Sequence, residues 1–349
     1  MTILLSLRHL YPSVKEHRQV EEQNLQLLRL FLDDAYIAPP ARPLNTLRYT
    51  QKNFFSILFL SIYRALGIPP ERRLFYGLVN HAIRGIVTAT DNLLDDEYKE
   101  VLPLKFAPEA TRFKSVMHIL LFDRFLGRVA ETAVRDGLLG EDQREPLLQG
   151  IFAALVPIGA EEASEEGGVH TILTPQEIVA GIHVHKGGDL LRLAFVAPRL
   201  VETECAAAIG RADLGVFRIG MALQVIDDLT DFYEDIRDRR HNYLVSAVVH
   251  EGTAEERWRY DSLQPGAGAR PPVEEAYAES VSRVMGRTVG EALAGFDLLA
   301  EADFWLDRRR ALELIRYLFK LRGVPQLLAL LPAKLSRLSD PALLERFAS

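Results

Sequence analysis

Residues 221–243 read MALQVIDDLTDFYEDIRDRRHNY, with Asp227, Asp231 and Asp235 recurring every four residues. On an α-helix each such step turns about 400° and climbs about 6 Å, so these carboxylates fall near one face. Met221, Val225, Ile226, Leu229 and Phe232 supply the apolar side chains that suit a helix packed into a core. Like charges at the end of such a run repel one another unless a cation sits among them. Mg²⁺ is one such cation, binding oxygen ligands that often combine one or two carboxylates with substrate phosphates. The other reading is a solvated acidic face, which helices commonly carry. The stretch alone leaves both readings open.

A second stretch favours the first reading. Residues 86–99 read IVTATDNLLDDEYK, and Asp91 and Asp95 are again four apart, behind the apolar Ile83, Ile86 and Val87. Asp96 and Glu97 follow. Two helices that each close an apolar stretch with spaced carboxylates can face one cavity and hold several metal ions against a diphosphate.

This pair resembles the two aspartate-rich motifs of the trans-isoprenyl diphosphate synthases, the polyprenyl synthetase family of the class I terpenoid synthase superfamily. Gly220, Gln224, Asp227, Asp228 and Asp231 stand in register with the family's Gly-x-x-x-Gln-x-x-Asp-Asp-x-x-Asp. In the first motif Asn92 stands where the family usually has a second Asp. The family's main ligands there are the first and last acids, here Asp91 and Asp95. The similarity in pattern covers residues 48–243, with looser helical agreement beyond.

The resemblance implies an all-α fold, a single-domain helical bundle around a central cavity, spanning residues 1–349. It implies several Mg²⁺ ions, held with the substrate diphosphate by Asp91, Asp95, Asp227, Asp231 and Asp235. Lys186, in HVHKGGDLLRLAF, stands where the family has a Lys, usually followed by Thr, that reaches the allylic diphosphate; here Gly187 follows. On this likeness Lys186, Asp227 and Asp91 carry the catalysis, and Gln224 joins the diphosphate site. A lysine there acts as a point charge on phosphate; read without the family, it is a solvated side chain. Arg237 and Arg240 follow the second motif, and guanidinium forks suit phosphate oxygens. A basic helix end is the competing reading. His183 and His185 are two apart, the wrong spacing for one helix face, and no cysteine lies near them. They read as structural rather than as a zinc site.

Two family patterns are absent. Where the family has Gly-Gly-Lys-Arg for the homoallylic diphosphate, this chain has Arg48-Tyr49-Thr50-Gln51-Lys52-Asn53, in which Arg48 and Lys52 are the basic substitutes. Where it has Arg-Arg-Gly, this chain has Glu97-Tyr98-Lys99-Glu100. One diphosphate site reads as kept and the other as rebuilt. The expected activity is a Mg²⁺-dependent isoprenoid synthase that ionises an allylic prenyl diphosphate and transfers the prenyl group, forming a carbon–carbon bond. A class I terpene cyclase acting on one prenyl diphosphate is the alternative. A non-catalytic partner subunit of a prenyl synthase is the second; the retained acids oppose it and the altered basic motifs favour it.

Composition fits an enzyme of this kind. The chain has 349 residues, 48% hydrophobic and 26% charged, with a net charge of −7 that argues against a nucleic-acid surface. Cys205 is the only cysteine, so no intramolecular disulfide forms and a reducing compartment fits. The N-terminal residues lack the basic start and long apolar region of a signal peptide. The apolar run at 54–66 is broken by Ser56, Ser61 and Arg64 and is too short to span a bilayer. A cytoplasmic protein is expected, with a homodimer left open.

Periodicity predicts helices over 16–35, 50–66, 71–96, 111–136, 142–156, 174–199, 203–240, 274–299, 307–322 and 324–331. Pro157 is expected to stop the fifth of these. Thr174, Pro175 and Glu177 form a helix-start pattern. Breaks are expected at 38–43, 101–110 and 161–174, and a mobile insertion at 252–273. No strand alternation or repeat is found.

Overall fold

Apolar residues at helical spacing shape almost all the regular structure in this computed structural model, which describes residues 9–39, 42–95, 98–263, 270–306, 308–321 and 326–327. Among the described residues there is no strand, and one isolated antiparallel bridge joins Ile37 to Leu104. The all-α expectation holds. No helix of the described residues is long and apolar enough to cross a membrane.

The chain divides into two compact units, Met1–Ala153 with Leu193–Ile209, and Ala154–Arg192 with Gly210–Ser349. The first contains α1 (Tyr11–Phe31), α2 (Thr46–Lys52), α3 (Phe54–Ala65), α4 (Pro70–Leu94) and α5 (Thr111–Arg135). The helix α6 (Glu141–Ser164) is shared between the units in sequence, and α7 (Val196–Val201) belongs to the first. The second holds a π-helix (Ile178–Asp189), most of α8 (Ala206–Asp238), α9 (Tyr243–Glu251), α10 (Ala254–Asp261), α11 (Val273–Ala276), α12 (Ala278–Glu301) and α13 (Arg308–Leu321).

Several expected boundaries move, each for a local reason. The helix expected over 50–66 is two, because Asn53 leaves helical geometry at φ −113° and ψ 26°. Its side chain instead meets Glu21 and Arg84. Pro157 does not stop α6, which runs on to Ser164. A proline costs one backbone hydrogen bond, but Ile158 beyond it is buried, and Ala160, Glu161, Glu162 and Ala163 all favour helix. The expected start at Thr174 is present as a reciprocal capping box with Glu177. The helix it opens turns π-helical for twelve residues before returning to α. Within 252–273, Thr253 and Glu256 cap the helix α10, while residues 264–269 lie outside the described residues. Asp307 and most of the helix expected at 324–331 also lie outside them.

The first unit buries a polar cluster beneath α1, α2 and α4. His17 Nδ1 lies 2.8 Å from Tyr49 Oη, which itself donates to Glu21 Oε2 at 2.6 Å. The phenol proton being committed to Glu21, His17 donates through Nδ1, and its Nε2 is left as a buried lone pair without a partner. The His81 ring lies 6.4 Å away, and its Nδ1 is also unpaired. Burial first, then neighbouring His81 and Arg84, pushes His17 down to about 3. Burial, with Arg84, does the same to His81.

Both histidines are therefore neutral in the folded chain, whereas an unfolded histidine titrates near 6.5. Below that value the unfolded state takes up protons that the native state refuses, so stability present at neutral pH is lost as pH falls from about 6.5 towards 3. Urea denaturation between pH 7 and 5 should show the loss. His81→Leu should reduce the slope by up to about 1.4 kcal/mol per pH unit, and an unchanged slope would contradict neutral burial of His81.

Candidate functional site

In the first unit the two carboxylates of the first motif close α4. Asp91 and Asp95 are exposed, and the Asp95 N–H donates to the Asp91 carbonyl at 2.9 Å. Between them Asn92 is only 4% exposed. Its Nδ2 donates to the Lys99 carbonyl at 3.0 Å and its Oδ1 accepts from the Lys99 N–H at 2.9 Å. Asn92 is thus a clamp on the chain that follows the motif. The last turn of α4 carries no basic residue. A helix C-terminus is its negative pole, so Asp91 and Asp95 add negative charge where negative charge is already unfavourable. Asp96 and Glu97 lie outside the described residues.

The basic residues expected nearby divide. Arg48 and Lys52 are both exposed on α2. Arg84, which sequence reasoning missed, lies seven residues before Asp91, two turns back on the same face. Its Nη1 donates to Asn53 Oδ1 at 3.1 Å and Ser56 Oγ at 3.5 Å. Burial lowers its pKa, with Glu21 opposing. The seven-residue spacing was the available signal.

In the second unit α8 carries the second motif. Asp228 is 4% exposed. Its Oδ2 accepts from His183 Nε2 at 2.9 Å and from the Tyr243 N–H at 2.7 Å, and its Oδ1 from Gln224 Nε2 at 3.0 Å. Asp227 is half-buried and Asp231 exposed. Asp235 is buried, and Asn242 Nδ2 donates to its Oδ2 and to the Asp228 carbonyl, each at 2.7 Å. Asn242 also accepts from Val245 N as the cap of α9, a role signalled by an Asn standing just before the apolar run 243–249. Burial raises the Asp235 carboxyl to about 7; the Asn242 hydrogen bond opposes the shift, and Asp228 and Asp231 reinforce it.

Lys186 sits in the π-helix with 12% of its side chain exposed. Its Nζ lies 2.8 Å from Glu165 Oε2 and 3.1 Å from Glu162 Oε2. Burial opposes its charge, but these two carboxylates prevail and hold it above the usual lysine range. The residue after it is constrained by packing. A Cβ on Gly187 would lie 2.6 Å from the Gly220 carbonyl oxygen and 2.9 Å from Gln224 Cβ. A Cβ on Gly220 would meet the Gly187 oxygen at 2.2 Å. The π-helix and α8 therefore touch backbone to backbone, directly before the acids. π-Helical turns are rare and concentrate at functional sites.

The remaining candidates are peripheral. Arg237 is exposed and tied to Glu234 and Asp238, whose carboxylates raise its pKa. Arg240 is exposed, and its N–H closes the end of α8 on the Asp235 carbonyl at 2.8 Å. His185 pairs with Asp189 at 2.9 Å.

No family model matches the chain, and no curated protein matches it. Solved structures do. Geranylgeranyl pyrophosphate synthetase from the archaeon Geoglobus acetivorans is similar at a TM-score of 0.57 and 14% identity, covering 88% of this chain and 98% of that one. Decaprenyl diphosphate synthase from Rhodobacter capsulatus gives 0.56 and 15%, covering 93% and 98%. Polyprenyl synthetase from Streptomyces coelicolor gives 0.55 and 16%, covering 87% and 98%. The fold of this chain is the all-α fold of those structures.

Two substitutions towards the residues of the resembled motifs should damage this chain. Asn92→Asp removes the donor to the Lys99 carbonyl and sets a carboxylate against it, costing about 1–3 kcal/mol. Gly187→Thr drives a side chain into the Gly220 backbone, costing about 1–3 kcal/mol or more. Chemical denaturation reads both, and neutrality of either variant would contradict the contacts described.

Proposed function

We propose that this chain is a Mg²⁺-dependent, prenyltransferase-like isoprenoid synthase of the polyprenyl synthetase kind. It ionises an allylic prenyl diphosphate and joins the prenyl group to an acceptor through a new carbon–carbon bond. One observation carries the reading. In each acidic motif the middle residue, Asn92 or Asp228, is buried and consumed by structural hydrogen bonds. The first and last acids, Asp91 with Asp95 and Asp227 with Asp231, are left nearer the surface. A solvated acidic face has no need of such a division.

The donor set suits Mg²⁺, because it consists of carboxylate oxygens alone. Among the described residues no three acidic, histidine or cysteine side chains converge into a complete site. Substrate phosphate and water would supply the remaining ligands, as is usual for this ion. Bound there, Mg²⁺ would neutralise charge on the departing diphosphate. In the first unit Asp91 and Asp95, and in the second Asp227, Asp231 and Asp235, would hold such ions, and Lys186 would offer a fixed positive charge to a phosphate oxygen. For the acceptor, Arg84 joins Arg48 and Lys52 as a basic residue of the first unit. It is the least hydrated of the three, so its charge would act on an anion most strongly.

The test is diphosphate release by the purified chain given geranyl, farnesyl or geranylgeranyl diphosphate, each with and without isopentenyl diphosphate and Mg²⁺. Chain-lengthened diphosphates that need isopentenyl diphosphate are expected. Hydrocarbons or alcohols from one diphosphate alone would replace the transferase by the cyclase, and no release at all would favour a non-catalytic partner. Asp95→Ala and Asp227→Ala should each lower turnover by about a hundredfold or more while circular dichroism stays native. Full activity in either would show that the acids are only a solvated face.

A further inference from the structure

We propose that Glu165 sets the affinity of the diphosphate site, as a buried carboxylate that occupies Lys186 and competes with an incoming diphosphate for it. The proposal rests on the reading of Lys186 as a phosphate ligand. With Glu162 and Glu165 both within 3.1 Å of its Nζ, the lysine presents a net negative group to an approaching anion. A diphosphate gains from Lys186 only when at least one of these carboxylates withdraws.

The two are held differently. The Glu162 side chain is 37% exposed and sits in the last turn of α6, where it can turn into water. The Glu165 side chain is 6% exposed, and its Oε1 also accepts from the His241 N–H at 3.3 Å. Glu165 heads a strap over 165–169 whose far end is fixed by the Val169 N–H on the Arg239 carbonyl at 2.7 Å. Arg239 directly follows the last residue of α8, in a left-handed conformation at φ 56°. Glu165 is therefore the more firmly held of the two, and lifting the strap is the route assigned to its release. Gly167 and Gly168, at φ 88° and 86°, are its points of low steric resistance. Lifting it also frees the turn that closes the second acidic motif, which couples release of the lysine to the segment bearing Asp235 and Arg240.

Titration calorimetry with pyrophosphate and Mg²⁺ on the full chain tests this. Glu165→Gln, which keeps an acceptor for the His241 N–H, should bind pyrophosphate about tenfold more tightly, equivalent to roughly 1.4 kcal/mol. Glu162→Gln should change affinity less, Lys186→Met should weaken binding, and the Glu165→Gln/Lys186→Met pair should show no gain over Lys186→Met. Weakened binding in Lys186→Met with no gain in Glu165→Gln would overturn the proposal and leave the lysine reading standing. Unchanged binding in Lys186→Met would overturn the lysine reading, and the proposal with it. Amide exchange on the unmodified chain gives a measurement independent of how the variants fold. Saturating pyrophosphate and Mg²⁺ should lower protection at the Val169 and His241 amides, and undiminished protection would show that the strap stays in place.

Discussion

The second unit depends on a buried carboxylate. Removing an ionised group from water costs several kcal/mol unless donors replace its hydration. Asp228 receives three, and they come from separate elements: His183 from the π-helix, Gln224 from α8 itself and the Tyr243 N–H from the start of α9. One charge thereby fixes the relative placement of three elements. The acids on either side of it, Asp227 and Asp231, stand on the helix that this anchoring fixes, and Asp231 Oδ1 also accepts from Thr230 Oγ1 at 2.9 Å.

The same division in the first unit uses a different residue, and the partners explain why. Lys99 offers Asn92 one N–H and one carbonyl, which needs a side chain with both an acceptor and a donor. The partners of Asp228 are all donors, which suits an acceptor-only carboxylate. Asparagine in one motif and aspartate in the other are matched to the hydrogen bonds each must make. The identity of the middle residue is therefore decoupled from any role of the flanking acids.

Much of this architecture was legible in the sequence, for physical reasons that also mark where legibility ends. Apolar spacing located the helices, and the pairing of Thr174 with Glu177 marked a start because cap and acid lie within one turn. Spacing alone also put Asp227 and Asp231 on one helix. Pro157 misled because a local rule was outweighed by the helix formers beyond it. The π-helical turn left no local mark, since it arises where Gly187 meets Gly220, thirty-three positions on. Glu165 and Asn242 were missed for a related reason. A carboxylate beside glycines and an amide before an apolar run look like ordinary loop residues until the chain folds Lys186 and Asp235 against them.

Both departures beside well-matched residues follow from local packing. Asn92 replaces an aspartate because the following chain returns a carbonyl to it. Gly187 replaces a threonine because α8 approaches too closely for any Cβ. In each case the altered residue faces the protein interior, while the acids and the lysine next to it keep their types. Helices can hold their course when interior side chains change, provided each change is matched by its contacts. That is how a chain with 14–16% identity to solved structures can keep their fold. It also places the information about ligands in the acids that stand nearer the surface than the anchored Asn92 and Asp228, namely Asp91, Asp95, Asp227 and Asp231, beside a lysine already held by Glu162 and Glu165.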